Sequence, residues 1–107
     1  MKKARFIVIY TTFPDLKIAK KIIYGLINEK LVACGNIFKL FSIYAWKGEI
    51  EQTAEYGAFI KTTKSNYKKV ENYIKNKHPY EVPEIISWPI EKGYKPYLDW
   101  IENEVKS

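Results

Sequence analysis

Two long strand-like runs, residues 31–46 and 49–63, flank the turn signal Lys47-Gly48. The first carries Ile37, Leu40, Ile43 and Tyr44, with Gly35 and Asn36 near its start as a bend. A Lys-Gly pair between two such runs predicts a hairpin. Strands in globular domains usually hold about five or six residues. A hairpin this long must outrun the sheet of one small domain, and an exposed strand edge invites another chain to pair with it. The hairpin therefore predicts an oligomer before any other element is placed.

The rest of the chain supplies one domain spanning residues 1–107. Residues 5–11, Arg-Phe-Ile-Val-Ile-Tyr-Thr, form a β-branched and aromatic run that predicts a strand buried on both faces. Pro14 and Asp15 start a helix over about 15–30, in which Ala19, Ile22, Ile23, Leu26 and Ile27 share a face. Ser65 or Asn66 is placed to cap a second helix with Tyr67, Val70 and Ile74 inward and a Glu71–Lys75 pair outward. Pro79 stops that helix. Residues 84–88 then read as a short strand, and Pro89 marks its end or an edge. Pro96 opens a last helix with Tyr97, Leu98, Ile101 and Val105 on its inner side. The order β-α-β-β-α-β-α makes this an α+β fold, an α/β sandwich. Its first six elements are the ferredoxin-like βαββαβ pattern, followed by an extra C-terminal helix. That pattern predicts an antiparallel sheet with both main helices on one face.

Charge narrows the function classes. The formal net charge is +6, and residues 61–77 hold six Lys and one Glu. Such a cluster raises the question of a Lys-mediated nucleic-acid binder. Arg5 is the only arginine, however, and base reading and bidentate phosphate recognition recruit Arg. A solvated surface is the favoured reading, and nucleic acid is not an expected partner. Cys34 is the only cysteine, so no internal disulfide can form. This predicts a reducing compartment, the cytoplasm. The apolar run near the N-terminus stops after Tyr10, too early for a signal peptide, and no stretch is long enough for a membrane span.

Several local strings, in order along residues 5–105, resemble the CutA family of divalent-cation tolerance proteins. They are Tyr10-Thr-Thr-Phe-Pro-Asp15, Glu29-Lys-Leu-Val-Ala-Cys34-Gly-Asn-Ile37, Ser42-Ile-Tyr-Ala-Trp46-Lys-Gly48-Glu-Ile50, Ile60-Lys-Thr62, His78-Pro-Tyr-Glu-Val-Pro-Glu-Ile85 and Tyr97-Leu-Asp-Trp100. The resemblance implies a ferredoxin-like subunit, a homotrimer through the long hairpin strands, and a role in tolerance of divalent cations, chiefly copper.

A direct metal site needs converging donors. Cys34 and His78, the only thiol and the only imidazole, are the candidates for copper or another divalent cation. They form no short ligand motif. A bland reading stands beside each: His78 as a helix terminator with a satisfied ring, and Cys34 as a small buried apolar residue. Some relatives carry a second His where this chain has Lys77, and a Cys where it has Thr11. Both departures remove donors, so metal binding is expected to be weak or accessory, and no metal is expected to be needed for folding. The resemblance also sets several of Tyr10, Tyr44, Trp46, Lys61, Tyr80, Glu81 and Trp88 near subunit junctions. There they either fill an interface or line a cleft, and a cleft would make the protein a trimeric small-molecule sensor with Lys61 holding an anion. No acid, base and nucleophile can be assembled from these residues, so no enzyme is expected.

Overall fold

The computed structural model describes residues 6–106. Arg5, expected at the start of the first strand, lies outside the described residues. The elements are β1 (Phe6–Phe13), α1 (Leu16–Asn28), β2 (Cys34–Trp46), β3 (Glu49–Thr63), α2 (Tyr67–Lys77), β4 (Ile85–Pro89) and α3 (Lys95–Glu104), with a 3-10 turn at Lys64–Asn66. The strands make one antiparallel sheet in the order β2-β3-β1-β4. This is the expected βαββαβ arrangement with an extra helix.

Alternation along β1 decides where the core sits. Ile7, Ile9 and Phe13 are buried and point to α1 and α2, where they meet Ala19, Ile22, Ile23, Leu26, Val70 and Ile74. Phe6, Val8 and Tyr10 face the other way and are only half-buried. The expectation of a strand buried on both faces therefore holds for one face. On the second face Tyr10, Phe38, Phe59 and Trp88 form an aromatic cluster, with Phe38 and Phe59 centroids 4.9 Å apart. The helix α3 packs on this side: Ile101 is fully buried and the Tyr97 hydroxyl reaches Cys34. Its other expected inner residues are less covered, and Tyr97 stays exposed.

The element ends differ from the sequence reading for local reasons. Asp15 is the cap of α1 rather than its first residue, its carboxylate accepting from Ile18 N at 2.8 Å. Lys30 takes a positive φ of 60°, so the helix has already closed. Glu29 and Lys30 form the turn, an irregular bend covers Leu31–Ala33, and β2 begins at Cys34. The Leu31 carbonyl accepts from both Thr62 Oγ1 and Asn66 Nδ2. Asn66 sits at the N-cap of α2, yet its side chain is spent on that distant carbonyl and makes no capping bond. Glu71 pairs with Lys68 at 2.9 Å and Tyr67 at 3.0 Å rather than with Lys75.

The hairpin is as long as the sequence requires. Lys47 and Gly48 have φ of 51° and 81°, the double left-handed geometry of a two-residue turn that matches strand twist. Register then runs unbroken from Trp46↔Glu49 to Cys34↔Lys61. β1 accompanies β3 only from Tyr56 to Thr63. Beyond that point the pairs from Leu40↔Glu55 to Trp46↔Glu49 form a two-stranded arm, roughly 20 Å long at the usual rise per residue. One face of the arm carries Phe41, Ile43 and Ile50, which are 80%, 70% and 79% exposed. An isolated two-stranded ribbon is marginal in water, and these side chains have no cover within the subunit.

Candidate functional site

His78 follows α2 and turns its ring into the subunit. It is buried and stacked on Phe13, with centroids 5.4 Å apart and planes 16° from parallel. Nε2 lies 2.7 Å from the Thr12 carbonyl, and Nδ1 is 3.1 Å from Tyr80 N. A carbonyl can only accept and a backbone N–H can only donate. Nε2 therefore carries the proton and Nδ1 offers its lone pair to Tyr80. Both nitrogens are used, which leaves neither free for a metal in this geometry.

Cys34 opens β2 on the opposite face of the sheet from α1 and α2, and its Sγ lies 3.4 Å from the Tyr97 hydroxyl. Its strand neighbour Lys61 is opposite Val8, while His78 is anchored at Thr12, four positions along β1. That separates the two donors by roughly 13 Å along the sheet. Among the described residues no three His, Cys, Asp or Glu side chains come together in a group that could hold a metal ion. The donors of one subunit do not make a coordination sphere.

Burial and the Cys34 thiol push the Tyr97 phenol up from 10.0 to about 12. The folded state favours the neutral phenol, so this contribution to stability is complete below pH 10 and is lost as pH rises through about 12. Tyr97→Phe should remove part of the alkaline loss while leaving stability at neutral pH nearly unchanged. Chemical denaturation across that pH range checks this, and an unaltered alkaline limb in the variant would contradict it.

A concave feature lies between the arm and the loop that joins α2 to β4. It is a cleft of ≈ 780 Å³ lined by Thr12, Phe41, Ser42, Ile43, Tyr44, Trp46, Glu55, Tyr80, Glu81, Val82, Pro83 and Glu84. Its floor is built on Glu55, which is only 4% exposed. One carboxylate oxygen accepts from Ser42 Oγ and the other from the Tyr80 hydroxyl, each at 2.5 Å. Burial first, and then the Glu55 carboxylate, raise the Tyr80 phenol well above its ordinary range, so Tyr80 remains a donor.

Of the cleft residues expected from the sequence, Trp46, Tyr80 and Glu81 line this cavity, as does Tyr44. Tyr10, Trp88 and Lys61 do not; Tyr10 and Trp88 belong to the aromatic cluster on the sheet face, and Lys61 lies on that face with its Nζ donating to Asn36 Oδ1. This cleft within one subunit is walled by carboxylates, and Lys61 is not in its lining. Glu55 was missed by the sequence reading. Strand alternation, which puts it on the face of Gly57 and Phe59, was the available signal.

The sequence matches the profile of the CutA1 divalent ion tolerance proteins over residues 7–104. The chain belongs to the CutA1 family. It is 39% identical over 100 residues to the divalent-cation tolerance protein CutA of Pyrococcus horikoshii, covering 94% of this chain and 98% of that one. It is 45% identical over 93 residues to a CutA homolog of Xenopus laevis, where the match covers 86% of this chain but 62% of the longer relative. Among solved CutA1-family structures, that of the Archaeoglobus fulgidus protein, described as a periplasmic divalent cation tolerance protein, superposes with a TM-score of 0.93 at 39% identity. It covers 94% of this chain and 99% of that one. The family and the ferredoxin-like fold agree with the resemblance seen in the sequence.

Proposed function

We propose that the chain serves divalent-cation tolerance as a non-catalytic binding protein, assembled as a homotrimer through its arm, with weak or accessory contact to the metal itself. Membership of the CutA1 family supports the tolerance role. The separation of Cys34 from His78 carries the weak-contact part of the reading, because one subunit presents a single thiol that no second strong donor joins. Coordination around Cys34 would then draw on water or a neighbouring subunit. The uncovered apolar face of the arm supports the assembly.

The Lys residues of 61–77 do not form one patch. Lys61 is on the sheet face, whereas Lys68, Lys69, Lys75 and Lys77 are on α2. This weighs against a nucleic-acid role. Among the described residues no helix is long and apolar enough to cross a membrane. The single thiol supports a cytoplasmic location, which cell fractionation checks.

The test is titration of the reduced protein with copper and zinc against a chelator of known affinity. The expected dissociation constants are weaker than about 1 μM. Any residual thiol-dependent binding should be lost in Cys34→Ser. Tighter binding at one ion per subunit, lost in Cys34→Ser, would overturn the accessory reading.

A further inference from the structure

The two helices that cover the core, α1 and α2, carry the positive charge of the described molecule. Residues 15–30 and 64–77 hold nine Lys against Asp15, Glu29 and Glu71, a net +6. The other described residues hold six Lys against nine carboxylates, a net −3. The lysines of α2 therefore join those of α1 in a patch that residues 61–77 do not make alone. Among the described residues, Lys68 is the only one of the nine with a carboxylate within 4.0 Å, that of Glu71.

Helical periodicity sets these side chains in line. Ala19, Ile22, Ile23 and Leu26 are buried, so Lys17, Lys21, Tyr24 and Asn28 form the opposite stripe of α1 at i, i+4, i+7 and i+11. Val70 and Ile74 are buried, so Lys68, Asn72 and Lys75 form the matching stripe of α2. A Cβ at Gly25 would run into the Tyr73 hydroxyl; without one, α1 and α2 lie close and the two stripes share a surface. Tyr24 is 79% exposed, an aromatic ring held out among lysines. Ile27, one turn further on and 43% exposed, lies beside it.

This face stays in water when subunits assemble. The arm residues that need cover are Phe41, Ile43 and Ile50. Unpaired ammonium groups cannot be buried against them without a large desolvation cost.

We propose that the α1–α2 face docks on the surface of an anionic lipid bilayer. Lysine suits such a partner, because a fluid headgroup layer has no fixed geometry for a forked guanidinium to match, and hydrated point charges meet it equally well. Arg5, the only arginine, is in neither helix. Tyr24 supplies the amphipathic ring that settles between headgroups and acyl chains. The helices lie along the surface and do not enter it.

Sedimentation of the full chain with lipid vesicles tests this. Vesicles of equimolar phosphatidylcholine and phosphatidylserine should carry the protein down, and vesicles of phosphatidylcholine alone should not. Retention should fall steeply with salt, as the Debye length shrinks from about 10 Å at 0.1 M to about 3 Å at 1 M. A lysine near an anionic bilayer contributes about fivefold in affinity, so Lys17→Gln with Lys21→Gln should bind about 25-fold more weakly. Tyr24→Ser should weaken binding severalfold. Lys92→Gln with Lys95→Gln removes the same charge at the start of α3, on the other side of the sheet, and should leave affinity nearly unchanged. All five positions are exposed, and an unaltered melting temperature and scattering mass confirm that each variant folds and assembles. Equal losses in the two lysine pairs would overturn the proposal, as would equal binding to both kinds of vesicle. Unaltered vesicle binding by Tyr24→Ser would reduce the face to a general polyanion surface and overturns it as well.

Discussion

A chain carrying both Ile43→Asp and Ile50→Asp should scatter light as a monomer at micromolar concentration, where the parent scatters as a trimer. The two side chains share one face of the arm and are 70% and 79% exposed in the isolated subunit. Full burial of an isoleucine is worth about 1.5–3 kcal/mol. Removing two of them therefore withdraws roughly 3–5 kcal/mol per subunit from the assembly, before the added cost of desolvating carboxylates. The subunit itself should survive, because the arm lies beyond the stretch of β3 that pairs with β1 and makes no contribution to the core under α1 and α2. Circular dichroism of the double variant should match the parent. An unchanged mass, or a parent that is already monomeric, would show that the arm is not the assembly surface.

The second large effect is expected at His78. Its ring is the partner of two backbone groups, the Thr12 carbonyl and the Tyr80 N–H. Each costs about 1–3 kcal/mol when left unpaired away from water. His78→Ala should therefore lower unfolding free energy by about 3–4 kcal/mol, the stack on Phe13 being lost as well. His78→Asn places an acceptor near the position of Nδ1 and should recover part of this. Copper and zinc affinity should not change in either variant. Urea denaturation beside a chelator competition separates the two roles. A stable His78→Ala protein with altered metal affinity would make the ring a ligand rather than a brace.

The features that were legible in the sequence are the local ones. Lys47-Gly48 announced the hairpin because only a tight turn joins runs so long, and Pro14-Asp15, Pro79 and Pro96 announced helix ends because proline and a capping carboxylate act within a few residues. The bland reading of His78 as a satisfied terminator matches its observed hydrogen bonds. What was not legible depends on segments distant in the chain. Asn66 has the composition of a cap, but the Leu31 carbonyl takes its amide from 35 positions away. Glu55 looks like an ordinary exposed strand residue until Tyr80 is brought across to it. Lys61 counts with the lysines of α2 in sequence, yet strand alternation turns it to the other side of the sheet. The candidate cleft residues divided for the same reason: Trp46, Tyr80 and Glu81 line the cleft beside the arm, while Tyr10 and Lys61 belong to the open sheet face.

The sheet order also sets a sequence of events during synthesis. β1 is made first, yet it lies between β3 and β4, and its pairs run from Phe13↔Tyr56 to Ile7↔Pro89. The β2–β3 hairpin can zip from its own turn as soon as it leaves the ribosome, since its contacts are local. β1 can then dock along β3, but its far edge stays open until the α2–β4 segment has emerged. During that interval a nascent chain offers an unpaired apolar strand edge to any neighbour on the same message. Because β4 is short and ends in proline, the edge that finally closes β1 is itself a poor template for further pairing. For β1 the hazard of strand exchange ends once β4 docks, whereas the long β2 edge stays open in the finished subunit.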